Sequence, residues 1–193
     1  MTDNERANLR SSLLARRAAF VAALPPSVRA LAFRVLPSPV LAQIPPGSRI
    51  AIYRAMGSEA PTEALIDFLH ERGFPLCLPR LGKTTAEDME FAAWSPDDIL
   101  VPGQLRIPQP APQAPVVVPD VVLTPLVGFD RALNRIGHGA GYYDRAFATM
   151  PNALRIGIAW SCQMVDRLPV ASWDVPLHML ITEQSILTPG DIS

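Results

Sequence analysis

Histidine and cysteine are scarce in this chain: three histidines and two cysteines among 193 residues. His70, His138, His178, Cys77 and Cys162 show none of the short spacings that hold a structural metal. Two isolated cysteines read as buried free thiols in a reducing compartment, not as a disulfide framework. There is no G-x-S-x-G, no H-E-x-x-H and no cysteine–histidine signature, so the usual carriers of nucleophilic and zinc hydrolysis are missing. Charge is sparse too, at 18% of residues with a net charge of −1. That balance argues against a dedicated nucleic-acid or membrane-surface protein, and any basic site has to be local. No apolar run is long enough to span a bilayer, and no internal repeat is visible. At 49% hydrophobic, the chain can bury a sizeable core, and its length fits one domain.

What the chain does have is concentrated in TPLVGFDRALNRIGHGAGYYDR, residues 124–145. Gly137, Gly139 and Gly141 alternate, with Arg135 before them and Tyr142, Tyr143, Asp144 and Arg145 after. Alternate glycines expose backbone N–H groups and let a bulky anion approach. The planar fork of an arginine suits phosphate. An aspartate just beyond suits the Mg²⁺ that travels with a nucleoside triphosphate. Two better-known phosphate loops fail here. A G-x-G-x-x-G pattern needs glycine at Tyr142 or at Asp144, and a P-loop ending at Gly82-Lys83-Thr84 needs its first glycine at Cys77. Glycines also collect in turns for backbone reasons alone; the flanking Arg135, Tyr142, Tyr143 and Asp144 tip the balance toward phosphate.

The patterning predicts an α/β layered domain with a mainly parallel sheet flanked by helices. Residues 3–23 read as a helix. At about 3.6 residues per turn, Leu9, Leu13, Phe20 and Leu24 share one stripe, and Arg6, Arg10 and Arg17 share the next. Read alone, such an arginine stripe is more often a solvated face than a ligand surface. Pro25-Pro26 stops this helix, and Ser27 is positioned to cap a second one running to about Gln43. Strands are expected at 50–54, 76–78, 89–94, 121–123, 154–160 and 179–182. Helices are expected from Pro61 to Gly73 and from Tyr142 to Met150. Six prolines between Val101 and Pro119 predict an extended loop.

Phe129-Asp130 through Arg145 is similar to the signature FDxxxxRLGxGxGYYDR, with Ile136 in the leucine place. On this motif the chain resembles the 5-formyltetrahydrofolate cyclo-ligase family, also called 5,10-methenyltetrahydrofolate synthetases. ERANLRSSLLARR, IAIYRAMGSEAPT, LCLPRL, MEF, LVPGQLRIPQP and DVPLH extend the resemblance in order along nearly the whole chain, residues 1–193, as a single domain. The resemblance implies ATP-dependent closure of 5-formyltetrahydrofolate to 5,10-methenyltetrahydrofolate through a phosphorylated formyl group, releasing ADP and phosphate.

It also implies roles. Arg6 and Arg10 reach ATP from the first helix, which packs near the nucleotide site. Arg135 and the stretch Ile136, Gly137, His138, Gly139, Ala140, Gly141, Tyr142 and Tyr143 cradle the phosphates. Tyr53, Arg54, Met56, Glu59 and Tyr142 hold the folate, with Glu59 on the pterin. Asp144 and Asp174 are the Mg²⁺-associated carboxylates. Read alone, Asp144 also suits a helix N-terminal acid, and Asp174 reads more readily as a turn acid. Arg80 is expected to meet an anion or to pair with a surface acid. Departures from the family pattern are Ala140 between the last two glycines, His178 where an acid often follows DVPL, and Arg106 in the proline-rich loop. The expected partners are the two small-molecule substrates, with no nucleic acid and no membrane. A monomer in the cytoplasm is expected, the arginines near the N-terminus being read as part of the mature protein because Asp3 and Glu5 accompany them. Two other readings stay open: a relative that uses ATP on a different substrate, and a non-catalytic nucleotide- or folate-binding regulator.

Overall fold

A computed structural model describes residues 3–82, 89–104 and 107–189. In chain order the helices are α1 (Asp3–Ala23), α2 (Pro26–Leu31), α3 (Ser38–Leu41), α4 (Glu63–Glu71) and α5 (Tyr142–Thr149). The first six strands are β1 (Ile50–Ala51), β2 (Leu76–Arg80), β3 (Glu90–Ala93), β4 (Leu100–Pro102), β5 (Pro108–Pro110) and β6 (Val116–Val117). They are followed by β7 (Val121–Pro125), β8 (Gly128–Phe129), β9 (Arg135–Ile136), β10 (Leu154–Ile158), β11 (Met179–Ile181) and β12 (Ile186–Leu187).

Eight strands form one sheet in the order β12-β11-β10-β7-β1-β2-β3-β6. The inner five pair in parallel; β12 pairs antiparallel with β11 on one side, and on the other β3 pairs antiparallel with β2 and β6 antiparallel with β3. Side chains alternate across it. Ile50, Leu78, Val121 and Leu123 join one buried cluster with Leu65, Ile66 and Leu69 of α4. Ala51, Cys77 and Val122 join a second with Ala146 and Phe147 of α5. A helix therefore covers each face, which is why β1 and β7 are apolar at consecutive positions and show no polar alternation. Cys77 lies wholly inside, and burial pushes its thiol up to about 12, so it is an unreactive free thiol.

Three expected elements came out differently. The helix from Ser27 to Gln43 is two short helices, because Ala32 turns extended, Phe33 adopts φ 56° and Pro37 and Pro39 follow. Ser27 caps neither of them; Pro25 holds the N-cap position of α2. The proline-rich stretch is more than a loop: β4 and β5 pair as a hairpin, and β6 adds an edge strand to β3. Proline is tolerated there because an edge leaves N–H positions unused. Between β7 and the glycines the short hairpin β8–β9 intervenes. Its backbone passes so close to α1 that a Cβ on Gly128 would stand 2.5 Å from Leu13 Cδ1. Arg106, Lys83 and Thr84 lie outside the described residues.

Candidate active site

A cavity of about 560 Å³ opens where β1, β2 and β7 end. Tyr53 and Arg54 follow β1, Leu78 and Pro79 belong to β2, and Pro125 closes β7. This is the usual ligand position in an α/β sheet, outside the carboxyl ends of parallel strands. Further lining comes from α1, the loop 137–141 and the first turn of α5. Every residue expected at the site lines the cavity except Ile136. The Ile136 side chain packs instead with Leu13, Val127 and Leu168, and its carbonyl accepts the N–H of Val127. Ile136 anchors the loop from behind.

The glycine loop is held at both ends. Upstream, buried Asp130 accepts the backbone N–H of Asn134 at 3.0 Å and of Leu168 at 2.9 Å, which fixes the β8–β9 turn. In the middle, Gly139 adopts φ +105°, a region closed to side chains, and a Cβ there would lie 3.4 Å from the Arg10 guanidinium. Arg10 Nε donates to the Gly137 carbonyl at 3.0 Å, so α1 and the loop are directly joined.

Charge is organised in pairs. Arg135 is almost wholly buried, donates to Asp144 Oδ1 at 2.8 Å and lies 5.0 Å from the Phe147 ring centroid. Its Nε is buried without a hydrogen-bond partner among the described residues. A buried guanidinium with an unused donor beside a cavity suits an incoming anion. Arg6 grips both oxygens of Asp174, at 2.8 and 3.1 Å, and also donates to the Pro169 carbonyl. Burial pushes the Asp174 carboxyl up. The Arg6 bond, the Ala171 N–H and the charges of Arg6 and Arg135 outweigh burial and hold it below its ordinary value. Asp144 and Asp174 are thus each tied to an arginine of the same cavity. No group of three histidine, cysteine or carboxylate donors able to hold a metal occurs among the described residues. Two carboxylates nonetheless fit Mg²⁺, which commonly takes one or two of them and completes its shell with phosphate and water.

Glu59, also in the lining, accepts the Met56 N–H at 2.9 Å through Oε2, while Oε1 stands 3.5 Å from His138 Nε2 of the glycine loop. The Tyr53 hydroxyl donates to the Ala60 carbonyl, and Thr62 bridges the Tyr53 carbonyl and the Ala55 N–H. Tyr53 therefore braces the loop that carries Glu59 as well as lining the cavity. Burial, reinforced by the charge of Glu59, raises the phenols of Tyr53 and Tyr143, so both stay protonated. The Tyr142 hydroxyl meets Gln104 Oε1 at 2.9 Å, linking α5 to the proline-rich segment.

A model of the 5-formyltetrahydrofolate cyclo-ligase family matches residues 2–183. The chain belongs to this family. It is 34% identical over 147 residues to the 5-formyltetrahydrofolate cyclo-ligase of Escherichia coli (strain K12), covering 71% of this chain and 79% of that one. The Haemophilus influenzae 5-formyltetrahydrofolate cyclo-ligase is 37% identical over 138 residues, 68% of this chain and 74% of that one. Among solved structures, an Aquifex aeolicus 5,10-methenyltetrahydrofolate synthetase superposes with a TM-score of 0.76 at 25% identity, covering 95% of this chain and 92% of that one. The Mycoplasma pneumoniae 5,10-methenyltetrahydrofolate synthetase shares the fold, with a TM-score of 0.69 at 24% identity over 94% and 99% of the two chains.

For a cyclo-ligase of this family, four placements add to or alter the sequence reading. Arg17 lines the cavity although only its stripe with Arg6 and Arg10 marked it. It is buried, donating to Ser58 Oγ at 3.1 Å and to the Leu126 carbonyl at 3.3 Å, so part of the arginine stripe is far from solvated. Leu81, Met89, Ile107, Pro108 and Trp173 line it too, with no sequence signal to announce them. Arg80 faces away to Glu90 at 2.7 Å and to carbonyls of the proline-rich segment, the surface-acid alternative. His178 takes the place of an acid beside Arg155: its Nδ1 accepts the Arg155 backbone N–H, and burial and the Arg155 charge lower its pKa.

Proposed function

We propose that this chain, read as a single domain over residues 1–193, is an ATP-dependent 5-formyltetrahydrofolate cyclo-ligase. In this reading it uses Mg·ATP to close the 5,10-methenyl bridge and releases ADP and phosphate. The carrying observation is one cavity lined together by guanidiniums, the glycine loop and Glu59. ATP lies along Arg6, Arg10, Arg135 and the loop from Gly137 to Tyr143. The pterin lies against Glu59 with Tyr53, Arg54, Met56 and Tyr142 around it. The formyl oxygen attacks the γ-phosphorus and ADP departs. N10 then attacks the formyl carbon and gives up its proton, and the carbon–oxygen bond breaks as phosphate leaves. The formyl group is amide-like, and its oxygen leaves readily only as phosphate.

The protein's contribution is positioning and charge, the usual means of phosphoryl-transfer catalysis. Arg135, buried with a free donor, offers preorganised positive charge to the phosphates. Glu59 accepts from pterin N–H groups through the oxygen that His138 faces. Asp144 and Asp174 would hold Mg²⁺, whose contribution is to neutralise phosphate charge. Both tyrosines buried at the site stay neutral and serve as walls.

No helix among the described residues is long and apolar enough to cross a membrane. The proposal includes a monomer in the cytoplasm. Mixing the pure protein with 5-formyltetrahydrofolate and Mg·ATP and following methenyl absorbance tests the proposal. Absorbance that grows only with all three components is expected. ATP binding without folate binding would point instead to a relative with a changed substrate, and binding of both without turnover to a regulator.

A further inference from the structure

A second cavity, of about 470 Å³, adjoins the first and shares Arg6 and Trp173 with it. Arg6 marks the border, because its guanidinium is held between Asp174 and the Pro169 carbonyl. Beyond it the lining is apolar, from buried Leu168 through Pro169 and exposed Val170, with Arg167 as a further cation. Trp173 is 69% exposed, whereas the other two tryptophans, Trp94 and Trp160, are 5% and 0% exposed. An exposed indole between two cavities is an available stacking surface.

We propose that this second cavity is the nucleoside end of the nucleotide site, with Trp173 stacking the adenine ring. The proposal rests on the ATP reading above. A triphosphate that runs from the loop at Gly137–Gly141 to Arg6 leaves its ribose and base on the far side of Arg6, where the two cavities share Arg6 and Trp173. The space on that far side is the second cavity. Its apolar walls suit a flat heteroaromatic ring. Arg6 and Arg167 suit the anionic end of the same molecule and a stacked π-system.

The arrangement of tryptophans supplies the test. With Trp94 and Trp160 buried, emission quenched by acrylamide comes from Trp173. Acrylamide quenching is measured with Mg²⁺ present and with ATP, inorganic triphosphate or 5-formyltetrahydrofolate added singly; calorimetry measures the affinity of each. ATP is expected to shield Trp173, and inorganic triphosphate to bind without shielding it. Trp173→Ala is expected to weaken ATP about tenfold or more and to leave inorganic triphosphate unchanged, as loss of a base-stacking surface does. Trp173→Phe should restore most of the ATP affinity. ATP that binds without shielding Trp173, or an unchanged ATP affinity in folded Trp173→Ala, overturns the proposal. So does shielding by 5-formyltetrahydrofolate alone, which gives the cavity to the folate tail. Binding of neither ATP nor inorganic triphosphate to the wild type overturns the ATP reading itself, and the proposal with it.

Discussion

Asp144→Asn separates a metal carboxylate from a structural one, and the geometry sets what each role is worth. Asp144 Oδ1 accepts from the nearly buried Arg135 at 2.8 Å and from the Val175 N–H at 3.3 Å. Asparagine keeps an oxygen in that place, so both hydrogen bonds survive: the Arg135 bond keeps its charged donor, and the Val175 bond loses its charged acceptor. A hydrogen bond to a charged acceptor is worth about 1.5–3 kcal/mol and a neutral one about 0.5–1.5, so the loss is roughly 1–1.5 kcal/mol. This is well below the about 3–5 kcal/mol for stripping a buried ion of its partner altogether, because the amide oxygen of the variant still faces the guanidinium. For a chain of this size the melting temperature should fall by roughly 2–6 °C. A role in holding Mg²⁺ adds a second, independent signature. The Mg²⁺ concentration that half-saturates ATP binding should rise at least about tenfold, since a hard cation loses an anionic oxygen. Thermal melts and calorimetric ATP titrations at stepped Mg²⁺ read the two effects apart. A lowered melting temperature with an unmoved Mg²⁺ curve would refute the metal role and leave Asp144 as the partner of Arg135 alone.

Three further outcomes are expected. Gly139→Val forces a branched residue to φ +105° and brings its Cβ against Arg10, so ATP affinity should drop by at least about tenfold in a protein that remains folded; wild-type affinity in calorimetry would remove the cradle. Glu59→Gln should weaken 5-formyltetrahydrofolate by about ten- to hundredfold, the value of a charge-assisted hydrogen bond, with Mg·ATP binding little altered; equal folate affinity in both proteins would take Glu59 out of the site. For Asp174 the folded pKa is depressed, so its contribution is present above the unfolded value of about 3.9 and fades as pH falls through the folded value. The stability gap between wild type and Asp174→Asn should therefore be constant from neutral pH to about 5 and close below about 4; a gap that persists in strong acid, read from denaturant melts, would show that Arg6–Asp174 is not its source.

The chain's own order determined the glycine loop and its two flanking charges. Arg135, Gly137, Gly139, Gly141 and Asp144 are neighbours in sequence, and a contiguous motif carries its geometry with it. The strands β1, β7 and β10 and the helices α1, α4 and α5 were legible for a related reason, since apolar runs and helical periodicity are local signals. The two-residue strands β8 and β9 were not, because so short a segment has no period to read. Nor was the break at Phe33, whose φ of 56° lies where residues other than glycine seldom go and has no periodic signal. The pairing of carboxylates with arginines belonged to the tertiary structure alone. Arg6 meets Asp174 across 168 positions of the chain, and Arg10 meets Gly137 across 127. Arg17 and Trp173 entered the site the same way, from a helix and a loop that the parallel sheet brings to the same end of its strands. Sequence determines which residues have the chemistry for phosphate and pterin. Which of them share a cavity, and which already hold each other there, depends on long-range packing, because a charge finds its partner in space and leaves no periodic trace along the chain.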